Sequence, residues 1–396
     1  ESGERDREGD GLWDIAENVI GTSIRRADTD RDGVGDGAEL LQGLNPLDGV
    51  EFPTGTIASL ALLGEANDIA IIGQLGGGQT AYLATGEHGL AIVDASRFTN
   101  PVLLSELDLP GEAMSVSVDG NRGLAFVATG STGLQIVDVS DAVAPKVTGT
   151  ADIVGNVATS VVADDVVIAG GAGGVYLLNP VTGNVIAQVA TDAPVSSIAV
   201  ADGHVFAVVG NQEIVSYAFS GVVVEEIDRI DIPTPPVRRQ SFEDFKINVA
   251  DGVAYVSNGL DLQVVAGTRP LEKGGHVTFD ISDPAALALI SNIDTPNTLA
   301  AYLETLNNGA GLSLVAAGQR GLQVHGGSDP EVTYNLIAEF DTPGDARAVS
   351  LASGIGYVAD GSGGLQVINF LPFDSDGQAP EVSFDTDASD VRPNKR

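Results

Sequence analysis

Gly89–Asp94 reads GLAIVD, and the phrase returns as GLQIVD at Gly133–Asp138, GLQVHG at Gly321–Gly326 and GLQVIN at Gly364–Asn369. A longer phrase recurs around it at a spacing of roughly 44 residues, and a period of that length builds blades, coils or arrays rather than one irregular domain. In one copy, Ala113–Asp119 (AMSVSVD) alternates apolar and polar residues. Gly123–Thr129 (GLAFVAT), Gly133–Val139 (GLQIVDV) and a looser run near Lys146–Asp152 follow it. Each run is short, rich in Val, Ile and Leu, and bounded by Gly, Asn or Asp. These are strand and turn signals, and no helical period survives across them.

The inner-strand phrase starts near Ala66, Ala113, Ala158, Ser196, Phe245, Leu299 and Ala346. Seven copies of four short strands predict an all-β fold, a seven-bladed β-propeller. The last copy runs out after its third strand at Phe370, while an unassigned strand, Ile57–Leu63, precedes the first. If that N-terminal strand completes the last blade, the ring closes and no sheet edge stays open. A β-solenoid is the alternative, disfavoured because its repeats are usually shorter. The organisation expected is therefore acidic loops over residues 1–50, the propeller over 54–371 and an acidic linker over 372–396.

The phrases GLAIVDASRFTNP, GLQIVDVSDAVAP, HVTFDISDP and GIGYVADGSGGLQVIN resemble the LVIVD-repeat proteins, a family of propellers on bacterial and archaeal surfaces. The resemblance runs from about Ile57 to Phe370 and implies a fold and a location. It implies no catalytic residues. Copies three and four depart from it, with GVYLLNPVTG and NQEIVSYAFSG where the Asp-containing strand belongs. The recurring Asp94, Asp138 and Asp280 admit two readings, a ring of ligands or an Asx-type turn in which the carboxylate accepts a backbone N–H two residues on. Asn179 and Asn369 at the same place favour the turn.

Composition narrows the function. The chain has 396 residues, 55 acidic against 19 basic, and a formal net charge of −36. Nucleic-acid backbones and anionic membrane surfaces are poor partners for such a surface. Cysteine is absent, which removes disulfides, thiol catalysis and thiolate metal sites. No run of about 18 apolar residues marks a membrane span. A start at Glu1, without Met or a signal-peptide pattern, reads as a mature or excised piece of a longer precursor.

The sharpest chemical signal precedes the ring. Asp28, Asp30, Asp32, Asp36 and Glu39 place carboxylates at loop positions 1, 3, 5, 9 and 12, with Gly33 at position 6 and the Val34 carbonyl at 7. Calcium takes six to eight oxygens, and alternate carboxylates on a tightly curled loop converge on one point. Asp6, Glu8, Asp10, Leu12, Asp14 and Glu17 fill the same positions 22 residues upstream. The pattern resembles thrombospondin type 3-like calcium repeats more than paired EF-hands, because no long flanking helices fit. A solvated acidic linker is the plainer reading. The tail holds DSDG and DTDASD fragments without a closing Glu and reads as such a linker.

Two insertions interrupt the repeat around blade five, Ile232–Asp244 and Asn258–Gly274, and both leave the same face of an up-and-down blade. They gather Arg238, Arg239, Arg269 and Lys273, a rare basic cluster in an acidic chain, as candidate contacts to a protein or glycan at the cell surface. His88, His204, His276 and His325 fall at different repeat positions. His88 and Arg320 lie in loops of the proposed top face. Neither a nucleophile elbow, a phosphate loop nor HExxH occurs. The expectation is an extracellular, calcium-binding, non-catalytic binding, adhesion or structural module of a larger surface protein. The alternative is a polysaccharide lyase or hydrolase acting on the top face.

Overall fold

The computed structural model describes residues 5–7, 9–10, 12–31, 35–42, 46–47, 54–73, 78–151, 153, 155–220, 223–233, 245–257, 276–291, 304–308, 311–333, 335–352, 354–370, 382–384 and 393–395. Alternating inner strands and Gly-bounded runs become seven four-stranded antiparallel sheets. Blade two is representative, with Ser115–Asp119, Leu124–Ala128, Leu134–Asp138 and Lys146–Thr150 paired in that order. Gly55–Leu60 pairs antiparallel with Leu365–Asn369, so the order in blade seven is N-terminal strand, third, second, first. The ring closes as expected, with the closing strand two residues earlier than its apolar run suggests. In blade six the inner strand is Glu304–Asn307, later than the phrase near Leu299, which lies outside the described residues. Thr305 faces one neighbouring blade and Leu306 packs towards the other, so the alternation begins there.

The recurring glycines have a geometric cause. In the turn between second and third strands, Gly86 and Gly89, Gly130 and Gly133, Gly318 and Gly321, and Gly361 and Gly364 all have positive φ. A Cβ on Gly89 would stand 2.3 Å from the Leu107 carbonyl oxygen, so this position takes glycine alone. The first glycine of each turn also bridges to the entry of the next blade, as Gly86 to Ala113, Gly130 to Val157, Gly318 to Ala346 and Gly361 to Ala66. The turn that defines the repeat thereby fastens one blade to the next.

The aspartates after the third strand are turns. Ser96, Ser140 and Ser282 donate their backbone N–H to Asp94, Asp138 and Asp280 at 3.0, 3.0 and 2.9 Å, and Val181 does the same to Asn179. The hydroxyl and N–H of Ser140 and Ser282 hold the Asp138 and Asp280 carboxyls below the ordinary value. Asp360 departs from its repeat. It is fully buried where blades one and two carry Thr85 and Thr129, and it accepts hydrogen bonds from Thr342 Oγ1 (2.6 Å) and the Gly344 N–H (2.9 Å). Burial pushes its carboxyl up from the usual value, against those two bonds. Replacing it by Ala strands both donors, and the expected loss is about 2 kcal/mol in equilibrium denaturation.

Two short helices precede the ring, α1 (Asp14–Ile20) and α2 (Asp36–Gln42). Ala38 of α2 joins the apolar cluster that contains Ala95 and Phe98 of blade one, and Leu40 borders the same turn. The acidic segment is thus seated on blade one through α2. Within the acidic tail, Val382–Phe384 pairs antiparallel with Pro393–Lys395.

Candidate functional site

The inner strands surround a cavity of about 680 Å³, the channel of the propeller. The strands enter from the face that carries the turns between second and third strands, so their first residues form the mouth. Asp68, Ser115, Lys246 and Glu304 each open their strand. Ser117, Thr159, Ser160 and Ser197 line the middle, and Ile72, Val118 and Val162 line the far end. The wall therefore runs from charged through hydroxyl to aliphatic.

At the mouth, the Lys246 ammonium lies 3.3 Å from Glu304 and 3.7 Å from Asp68. It also donates to the Arg347 carbonyl at 3.5 Å. Asn248 donates to the other Glu304 oxygen at 2.9 Å, and Asp68 accepts the Val116 N–H of blade two at 3.0 Å. Arg347 bonds Asn67 and pairs with Glu65 at 2.8 Å. Burial works against the Lys246 ammonium, but Glu304 and Asp68 outweigh it and hold the group above the ordinary lysine value. Blades five, six, seven, one and two are braced by one polar network. A second hollow of about 340 Å³ shares Met114 and Ser196 with the channel, and Pro194, Gly210 and Asn211 carry it outward on the same face. Sequence reading passes over this mouth because each charge is a single exception at the first position of an apolar strand. A column-by-column comparison of inner-strand starts would show it.

The two acidic loops share one geometry. Asp14 and Asp36 donate their N–H to the carbonyls of Arg5 and Ala27, and Gly9 and Arg31 donate theirs to Oδ1 of Asp6 and Asp28. The position-nine carboxylate is held by the position-two residue in both, Asp14 by Arg7 (3.0 Å) and Asp36 by Thr29 through its N–H (2.7 Å) and hydroxyl (2.6 Å). Asp10 joins the loops, accepting from its own Leu12 N–H at 2.8 Å and from the Gly37 N–H of α2 at 3.3 Å. Asp10, Glu17, Asp36 and Glu39 are all 2% exposed or less. Burial raises the Asp36 carboxyl, the Thr29 bonds oppose this, and the Asp10 and Asp28 charges add to it. Glu8, Asp32 and Val34 lie outside the described residues, and the described His, Asp and Glu side chains do not by themselves gather in threes around a metal position. The donor chemistry is oxygen throughout, and its crowding of negative charge suits a hard divalent cation.

Arg238, Arg239, Arg269 and Lys273 lie outside the described residues. His88 is exposed in the turn between second and third strands of blade one, and Arg320 occupies that turn in blade six, 3.6 Å from Glu339. Neither lines the channel, and the structure does not bring them together. His276 and His325, by contrast, are buried and close enough for one to act on the other. Among the described residues no helix is long and apolar enough to cross a membrane.

The LVIVD repeat model matches residues 63–108, 110–152, 272–295 and 343–370. These segments fall in blades one, two, five and seven, away from the divergent third and fourth copies. No curated protein matches the chain in sequence. Among solved structures, the WD40 β-propeller domain of Doa1 is similar at TM-score 0.58 and 12% identity, covering 82% of this chain and 99% of that one. BamB from Moraxella catarrhalis is similar at 0.53 and 13%, covering 80% and 97%. The computationally designed Ika8 protein is similar at 0.52 and 9%, covering 79% and 99%. At these identities the likeness concerns the fold alone.

Proposed function

We propose that the chain, which belongs to the LVIVD-repeat β-propellers, is a non-catalytic binding module that works outside the cell or at its surface and holds calcium in its two N-terminal loops. The observation that carries the reading is the shape of one face. Two adjoining hollows open there, and at the channel mouth Lys246, Glu304 and Asp68, and Arg347 and Glu65, are paired with one another across blades. Paired charges of this kind are held in place, which suits recognition by shape and hydrogen bonding rather than acid–base chemistry. The insertions after Ile232 and Ser257 leave on this same face, and Arg238, Arg239, Arg269 and Lys273 would meet a protein or glycan partner there. The acidic remainder of the surface turns away other anions.

Asp6, Glu8, Asp10, Asp14 and Glu17 would hold one calcium ion, with the Leu12 carbonyl. Asp28, Asp30, Asp32, Asp36 and Glu39 would hold the other, with the Val34 carbonyl. The ion would neutralise carboxylates that otherwise repel one another in a buried setting. Because Ala38 and Leu40 seat α2 on blade one, its effect should reach the first blade.

Titration calorimetry with calcium, joined to limited proteolysis, tests the proposal. Calcium is expected to bind, with magnesium at least tenfold weaker, and chelation should open the chain to protease before Phe52 while the β signal of the ring persists. Glu39→Gln should weaken one site tenfold or more. Absence of binding heat, with identical cleavage in calcium and chelator, would remove calcium from the reading. A glycan array and a surface-extract pull-down that detect no ligand would remove the binding module.

A further inference from the structure

The interfaces between neighbouring blades are not alike. Apolar clusters fill the joints of blades one and two, two and three, three and four, four and five, six and seven, and seven and one. Among the described residues the joint of blades five and six has no comparable cluster. Val315 and Ala317 are its buried apolar side chains on the blade-six side. Ser257, His276, Thr278, Thr305, Ser313, Gln323 and His325 are buried in this joint.

The register shows these as substitutions in a repeated pattern. Ser257, His276 and Thr278 stand where blade one has Ala84, Leu90 and Ile92, and blade two has Ala128, Leu134 and Ile136. On the facing side, Ser313 and His325 stand where blade two has Ala125 and Val137, and blade seven has Gly356 and Ile368. Hydrogen bonds replace the apolar packing. Ser257 donates to Thr305 at 2.8 Å, Asn307 to the Tyr255 hydroxyl at 2.9 Å, and Thr278 to the Pro330 carbonyl at 2.6 Å. The His276 ring lies 5.8 Å from that of Tyr255, and His325 Nε2 is 3.1 Å from Gln323 Oε1.

We propose that this seam is an acid-sensitive joint, the place where the ring loosens when His276 and His325 take up protons. Two imidazolium charges in one closed interface repel one another and lose their water, while the other joints hold no such pair. Among the described residues the charged groups around the pair lie at the rims. Lys246 and Glu304 close the channel end, Glu339 receives the Gln323 amide at 2.6 Å with Arg320 beside it, and Tyr255 is the phenol within. Burial, with the neighbouring His325, lowers His276 to about 3, and burial lowers His325 to about 4. An opened seam returns both to an ordinary value near 6.5. Depressed values mean that the joint is fully stable above pH ~6.5 and loses stability as pH falls from there towards about 3.

Hydrogen exchange read by mass spectrometry at pH 7.0 and 5.5, corrected for intrinsic rates, tests this. At pH 5.5 each histidine favours the open form by about tenfold, so exchange over 253–257, 276–280, 304–307 and 312–326 should rise ten- to hundredfold. Blades two and three should change by less than threefold. H276L/H325I, which restores the side chains of other blades, should abolish the rise. H276Q, which stays polar without titrating, should halve its logarithm and covers the case in which the double variant fails to fold. A seam that responds no more than blades two and three, or H276Q with an undiminished response, overturns the proposal.

Discussion

A chain shortened to begin at Leu62 is expected to lose about 5 kcal/mol or more of stability and to form oligomers, whereas one that begins at Thr54 keeps a closed ring. Gly55–Leu60 is the outermost strand of blade seven, in register with Leu365–Asn369 through Leu60 opposite Leu365 and Thr56 opposite Ile368. Its removal cancels several ladder hydrogen bonds, each worth about 1 kcal/mol net. It also uncovers the cluster against which Ile57, Ala58 and Leu60 pack, at about 1–2 kcal/mol for each large side chain. That sum approaches the whole stability of an ordinary domain. The bare edge of Leu365–Asn369 would then pair with another chain. Equilibrium denaturation and size-exclusion chromatography measure both effects, and a peptide spanning 54–63 should restore the monomer in trans. An unchanged midpoint in the Leu62 chain would show that the seventh blade closes some other way.

Why the ring is so readable follows from the same pairing. The phrase beginning with Gly and Leu is legible because Gly89 and its counterparts share a left-handed conformation that favours glycine, and Gly89, Gly321 and Gly364 also lack the clearance for a Cβ, so the letter survives wherever the turn does. Asp94, Asp138 and Asp280 are legible because an Asx turn is local, set by a bond two residues away. The channel mouth is opaque because Lys246 meets Asp68 only once the ring has closed, and nothing near either residue announces it. The polar seam is hidden for another reason. The insertion after Ser257 breaks the period, so His276 does not line up with Leu90 until the strand register is known. The seating of α2 on blade one turns on Ala38, a residue too small to advertise a contact.

Lys246→Met is expected to cost about 2–3 kcal/mol and to loosen one joint more than any other. The Lys246 side chain is 29% exposed, and those of its partners Glu304 and Asp68 are 14% and 17% exposed. Breaking a fully buried pair costs about 3–5 kcal/mol, because the remaining carboxylate is left uncompensated, and the residual exposure here reduces that figure. The double variant K246M/E304Q removes the stranded charge and should recover at least 1 kcal/mol of the loss, a coupling that a double-mutant cycle reads directly. Strictly additive losses would show that the network carries no pair energy. The location matters as much as the size. Lys246 belongs to blade five and Glu304 to blade six, so their bond closes the channel end of the one joint that lacks an apolar cluster among the described residues. With the clamp gone, exchange over 253–257 and 304–307 should rise at pH 7.0, where both seam histidines are still neutral. The charge pair would thus hold by day-to-day electrostatics an interface that every other blade holds by burial, and the histidines would set the pH at which that hold fails.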